Sequence, residues 1–217
     1  MAAWIACAVA VLTLTCVWVI LGEQNNKNHR IQSEGIPFID ESRFSRYPAG
    51  VRTFIVRMMI SGVAVEDIRF NSPDELGALV HQRDGVFSPD GGGAQYKKAF
   101  PHVMEAQKEG DWYFNMNIAW PGIGSNQADL VAYLPGVTQK ICALENIGSD
   151  IEGVPELEQD ISAFYKFNIV DFPSAPHVPP KEPLARVAQE TLAGHLFGCF
   201  RDKSLGQYTY YHVLVER

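Results

Sequence analysis

The sequence predicts an α+β fold in which an N-terminal transmembrane helix precedes an amphipathic helix packed on a small antiparallel sheet. Three observations carry that expectation: an uncharged apolar run over 2–21, three-and-four apolar spacing over 47–59, and alternating apolar residues over 112–118. They divide the 217 residues into a membrane anchor at 2–21, a polar tether at 22–44 and a soluble α+β domain at 45–217.

The anchor comes first. At about 1.5 Å per residue, 2–21 spans about 30 Å, the thickness of a bilayer's hydrocarbon core. Its anchoring residues are Trp4, Ile5, Leu12, Leu14, Trp18 and Leu21, with the two indoles near the ends, where the interface favours them. Membrane lipid is therefore an expected partner. A cleaved signal peptide would carry a basic lead, a shorter apolar stretch and a small-x-small site. No Lys or Arg precedes this run and no Ala-x-Ala follows it, so a retained single-pass anchor is expected. Lys27 and Arg30 flank its C-terminal end and, by the positive-inside rule, favour a cytoplasmic domain.

The cysteines favour the other side. Cys142 and Cys199 are the two outside the apolar run, and either one disulfide or two buried thiols would suit them. A bridge would close a loop worth roughly 4 kcal/mol in the chain-entropy model. Such a bridge would favour a periplasmic or extracellular domain, the side that the layout and the resemblance described below also imply.

Within the domain, Tyr47, Val51, Phe54, Ile55, Met58 and Met59 line one helical face, with Ser45 as a cap, Pro48 in the first turn and Gly62 past the end. Ile68-Arg-Phe70 reads as a short strand, Ser88-Pro-Asp-Gly-Gly-Gly93 as a loop, and Ala94-Gln-Tyr96 as the start of another strand. Trp112, Phe114, Met116 and Ile118 share one face of the clearest strand, which ends at Pro121-Gly-Ile-Gly124. A second helix is expected over about 127–145, with apolar Leu130, Val131, Leu134, Val137, Ile141 and Leu144, and a kink at Pro135. A Pro-rich surface loop follows at 171–183, and the chain finishes with Gly198-Cys-Phe200 and an aromatic strand over 208–215.

No catalytic constellation, cofactor motif or metal-ligand spacing is present in the sequence. The net charge of −7 argues against nucleic acid as the main partner and against polybasic attachment to lipid. Gly91-Gly-Gly93 lacks the downstream Gly-Lys-Ser/Thr of a phosphate loop. Gly122-x-Gly124 sits between a strand and an expected helix, but Gln127 occupies the third glycine position of a dinucleotide fingerprint. The six histidines are scattered, and His212, beside Tyr210 and Tyr211, reads as structural. An enzyme would have to gather distant residues such as His212, His195 and Asp129. The acidic stretch 148–160 matches no calcium-loop pattern.

Residues 51–62, Val86-Phe-Ser-Pro-Asp-Gly-Gly-Gly-Ala-Gln-Tyr96, Gly122-Ile-Gly124, Asp129-Leu-Val-Ala-Tyr-Leu-Pro135, Cys142, Gly198-Cys-Phe200 and Tyr210-Tyr-His-Val-Leu-Val-Glu-Arg217 are similar to a family of uncharacterised bacterial exported proteins with pilin-like, or pseudopilin-like, character. The resemblance implies a membrane-anchored, non-enzymatic structural or assembly subunit whose partners are other protein subunits. Ile5 stands where pilins carry a glutamate that pairs with a neighbour's terminal amine, which points toward a minor role. A single-pass accessory subunit of a larger membrane complex is the alternative.

Overall fold

The computed structural model describes residues 45–171 and 182–217. Helix α1 covers 45–60. Val51, Ile55 and Met58 recur at helical spacing and are buried by it. Its end is a Schellman motif: Gly62, at a φ of 93°, donates its N–H to Met59 O, and Val63 donates to Met58 O. Val63 then packs in the same core as Met58.

A five-stranded sheet forms the centre, ordered β1-β3-β7-β6-β4, where β1 is Tyr113–Asn115, β3 Leu130–Val137, β4 Glu156–Leu157, β6 Phe197–Asp202 and β7 Gln207–Val215. A separate parallel pair joins β2, Ile118–Ala119, to β5, Ala185–Arg186. The expectation of a small antiparallel sheet is corrected here, because β4 runs parallel to β6 and the sheet is mixed. The physical reason is the connection: parallel neighbours need a long crossover. The chain between β4 and β6 supplies one, carrying the short helix α3, Ser162–Tyr165, and β5.

Alternate residues along the strands divide the core in two. Leu130, Ala132, Leu134, Cys199, Tyr210 and Leu214 face one cluster with α1, while Val131, Tyr133, Phe200, Tyr211 and Val213 face the other. Both faces of β3 are therefore covered. A strand covered on both faces reads as a continuous apolar run rather than an alternating one. That is why the expected helix over 127–145 is corrected to β3 followed by a separate helix α2, Gln139–Gly148. Pro135 lies at a register shift beyond the end of β1's pairing, where its missing N–H is tolerated. Thr138 caps α2 by accepting from Ile141 N at 3.3 Å.

Other expectations are corrected on a smaller scale. The strand at Ile68-Arg-Phe70 reduces to one bridge, Arg69 with Gly85, and Ala94-Gln-Tyr96 is irregular. The strand over 112–120 is interrupted after β1, so Trp112, Phe114 and Met116 enter the α1-side core but Ile118 enters the other. Among the described residues no helix is long and apolar enough to cross a membrane, which overturns the transmembrane part of the fold expectation there. The expected anchor at 2–21, with Trp4, Ile5, Leu12, Leu14, Trp18 and Leu21, lies outside the described residues, as do 172–181 of the Pro-rich loop.

Candidate protein-interaction site

Helix α1 is held from below and open above. Its inward side is an aromatic floor: the Tyr47 ring lies 5.5 Å from Trp112 and 6.5 Å from Phe114, whose ring stacks on Phe70 at 4.6 Å. Burial holds the Tyr47 hydroxyl above its ordinary range, and that hydroxyl accepts the Lys97 N–H at 3.2 Å. On the outward side Val56 is 42% exposed and Ile60 82% exposed, with Met59 also exposed rather than buried as its spacing suggested. Most surface helices turn a polar face to water. The outward face of α1 instead carries Ala49, Gly50, Thr53, Val56 and Ile60, punctuated by Arg46 and Arg57.

A groove of about 330 Å³ runs beside this helix. Arg46, Tyr47, Gly50 and Phe54 form one wall, and Gly93, Ala94, Gln95 and Lys97 the other. The Arg57 guanidinium sits 5.3 Å from the Phe54 ring centre, a cation–π contact. The second wall is fixed by the glycine-rich loop expected from Ser88-Pro-Asp-Gly-Gly-Gly93. There a Cβ on Gly91 would run into Gly85 O, and Gly93 adopts a φ of 70°. The groove thus pairs an aromatic floor with positive charge on both walls.

The domain behind the groove is clamped at one point. Cys142 on α2 and Cys199 on β6 are fully buried and joined in a disulfide, with Cα atoms 5.1 Å apart. Of the two arrangements open from sequence, the bridge is the one formed. Asn146, one turn further along α2, grips the same strand residue. Its Oδ1 accepts from Cys199 N at 2.7 Å, and its Nδ2 donates to Cys199 O at 2.9 Å and to Gly153 O at 2.7 Å. Sequence reading missed Asn146, because a helical Asn carries no signal of what its amide will meet.

Two titratable groups lie under α1. Burial pushes the Glu145 carboxyl up to about 7, against the opposing pull of a hydrogen bond from Ser45. Burial, followed by the Arg52 charge, lowers His212 to about 4. The His212 Nδ1 shares a 3.0 Å hydrogen bond with the Tyr210 hydroxyl, and its ring stacks on Phe197 at 5.5 Å. Arg52 itself donates to Leu214 O at 3.0 Å. Each of these groups ties neighbouring elements together: Glu145 on α2 to Ser45 at the start of α1, and His212 to Tyr210 and Phe197.

The residues an enzyme would have needed to gather take different partners. Asp129 is buried at the start of β3, accepting from Trp120 N and Arg217 N at 3.0 Å each, and burial raises its pKa. His195 offers its carbonyl to the Tyr211 hydroxyl at 3.1 Å. The Gly122-x-Gly124 turn leads into β3 rather than a helix, so the strand–turn–helix setting of a dinucleotide site is not formed. It lines a cleft of about 470 Å³ in which Arg186 donates to Asn126 at 3.1 Å. In the acidic stretch Glu156 pairs with Arg201, Glu158 with Lys203 at 2.6 Å, and Asp160 accepts from Ser162 and Ser204. Asp171, at the start of the Pro-rich loop, is paired with Arg69 at 3.0 Å.

No known protein family, characterised protein or solved structure matches this chain.

Proposed function

We propose that this chain is a non-enzymatic assembly protein of an oxidising, extracytoplasmic compartment, and that α1 is the element it docks on other protein subunits. The observation that carries the reading is the apolar outward face of α1. Ile60, 82% exposed, stands with exposed Val56 and Met59 on a helix whose opposite face is already buried. Contiguous exposed apolar surface is a feature of protein-contact sites, and this stretch supports that reading. The Cys142–Cys199 bridge supports the compartment, since disulfides persist where the surroundings are oxidising. The uncharged apolar run over 2–21 of the sequence is in keeping with export.

The test is photo-crosslinking from within the full chain in its own cells. A photoreactive residue at Val56 or Ile60 is expected to give a covalent adduct with another protein subunit, while one at exposed Lys108 is not. Monomer alone at all three positions would sink the proposal.

A further inference from the structure

We infer that the basic groove beside α1 receives the acidic tip of a second copy of this chain, head to tail; the inference rests on the assembly reading above and names its partner. The charge is sharply polarised along the sequence. Residues 45–65 hold Arg46, Arg52 and Arg57 and no acid, and Lys97 joins them across the groove. Residues 148–165 hold Asp150, Glu152, Glu156, Glu158 and Asp160 and no Lys or Arg. Copies of a chain carrying −7 repel one another unless oriented so that opposite patches meet.

The groove and the exposed carboxylates lie on different elements, although Glu145 of α2, just ahead of the tip, accepts from Ser45 at the start of α1. Tyr47 and Lys97 lie on the β1 side, where Lys98 also pairs with Asp111 just ahead of β1. The acidic tip leads into β4, the opposite edge strand, and β1 and β4 are separated by four interstrand spacings, about 19 Å. Complementary patches on different parts of one surface generate heterologous, head-to-tail contacts rather than closed pairs.

The tip is pre-formed. Asp150 has a φ of 56° and Gly153 a φ of 66°, so the chain reverses tightly there. Asn146 holds both sides of it, through Gly153 O and through Ile151 N, which donates to Asn146 O at 2.9 Å. Ile151 is buried and anchors the tip, leaving Asp150 and Glu152 exposed. Glu156 and Glu158 are already engaged by Arg201 and Lys203, so Asp150 and Glu152 are the carboxylates this tip offers. They present two negative charges to a groove flanked by Arg46 and Lys97.

Carbodiimide, which joins only an amine and a carboxylate in direct contact, tests this on the full chain mixed from ¹⁴N- and ¹⁵N-labelled copies. Mixed-isotope peptides joining Lys97 to Asp150 or Glu152 are expected. Reversing the groove with Arg46→Glu and Lys97→Glu should weaken self-association about tenfold, the effect of two exposed charge pairs. A partner copy carrying Asp150→Lys and Glu152→Lys should restore it. Same-isotope links only, links from Lys97 to Asp40 or Glu41, adducts to a foreign protein alone, or failure of the reversed partner to rescue would each overturn the inference. If these fail while adducts from Ile60 persist, the assembly reading stands and only the head-to-tail contact falls; if both vanish, both fall.

Discussion

Removing the disulfide should cost the domain about 4 kcal/mol, and the loop it closes explains why. Cys142 and Cys199 are 57 residues apart in sequence, so the bridge removes the closure entropy of a long loop from the unfolded chain. In the chain-entropy model that loss is roughly 14 cal/mol/K, or about 4 kcal/mol at 25 °C. The perturbation is Cys142→Ala with Cys199→Ala, which avoids burying two hydroxyls in a fully buried site. Equilibrium urea unfolding of the full chain, oxidised and doubly substituted, reads the difference. With a slope of about 2 kcal/mol/M, typical of a domain this size, the midpoint should fall by about 2 M. Reducing agent should produce a comparable fall in the native chain and none in the variant. A midpoint shift under about 0.5 M would refute the reasoning. It would mean that the contacts between α2 and β6, the Asn146 grip among them, hold that pair without the bond.

Three further outcomes follow from the same contacts. Asn146→Ala leaves the buried Cys199 N–H without its acceptor and should cost about 2–3 kcal/mol by urea unfolding, with the loss coupled to the disulfide's rather than additive. Glu145 keeps its proton up to about pH 7 in the folded domain against an ordinary 4.5, so the folded state binds more protons and stability falls as pH rises between those values. His212 has the opposite sign: its folded value near 4 against an ordinary 6.5 makes stability rise with pH over that window. Thermal unfolding of Glu145→Gln should therefore show a clean rise from pH 4 to 6.5 and a plateau beyond it, where the native chain declines toward pH 7; parallel curves would exclude the assignment. Gly124→Ala forces a side chain into φ 53° and against Arg217 O, and a loss of about 1–3 kcal/mol in unfolding free energy is expected. An unchanged midpoint would rule that out.

The parts of this fold legible in its sequence are those whose burial is one-sided. In α1, Val51, Ile55 and Met58 face the core at the spacing the periodicity shows, and Gly62 closes the helix as its position implies. The strand β3 was not legible, because Leu130, Val131, Ala132, Tyr133 and Leu134 are all buried, alternately in two different cores. Covering both faces removes the period-two signal, and the residue run that remains fits a helix equally well. Asn146 and the groove were hidden for a different reason. They depend on which distant backbone arrives beside them, Cys199 in one case and Lys97 in the other. The same logic bears on α1's outer face. Periodicity registers that a position is apolar, not what it packs against, so the spacing places Met59 with Met58 although the domain leaves it more exposed. An apolar side chain that its own domain leaves partly exposed contributes less there than a buried one, and on α1 Met59 joins Val56 and Ile60 at three-and-four spacing along one stretch of the helix. Contact with another subunit is the arrangement that would return those side chains to the burial their chemistry calls for.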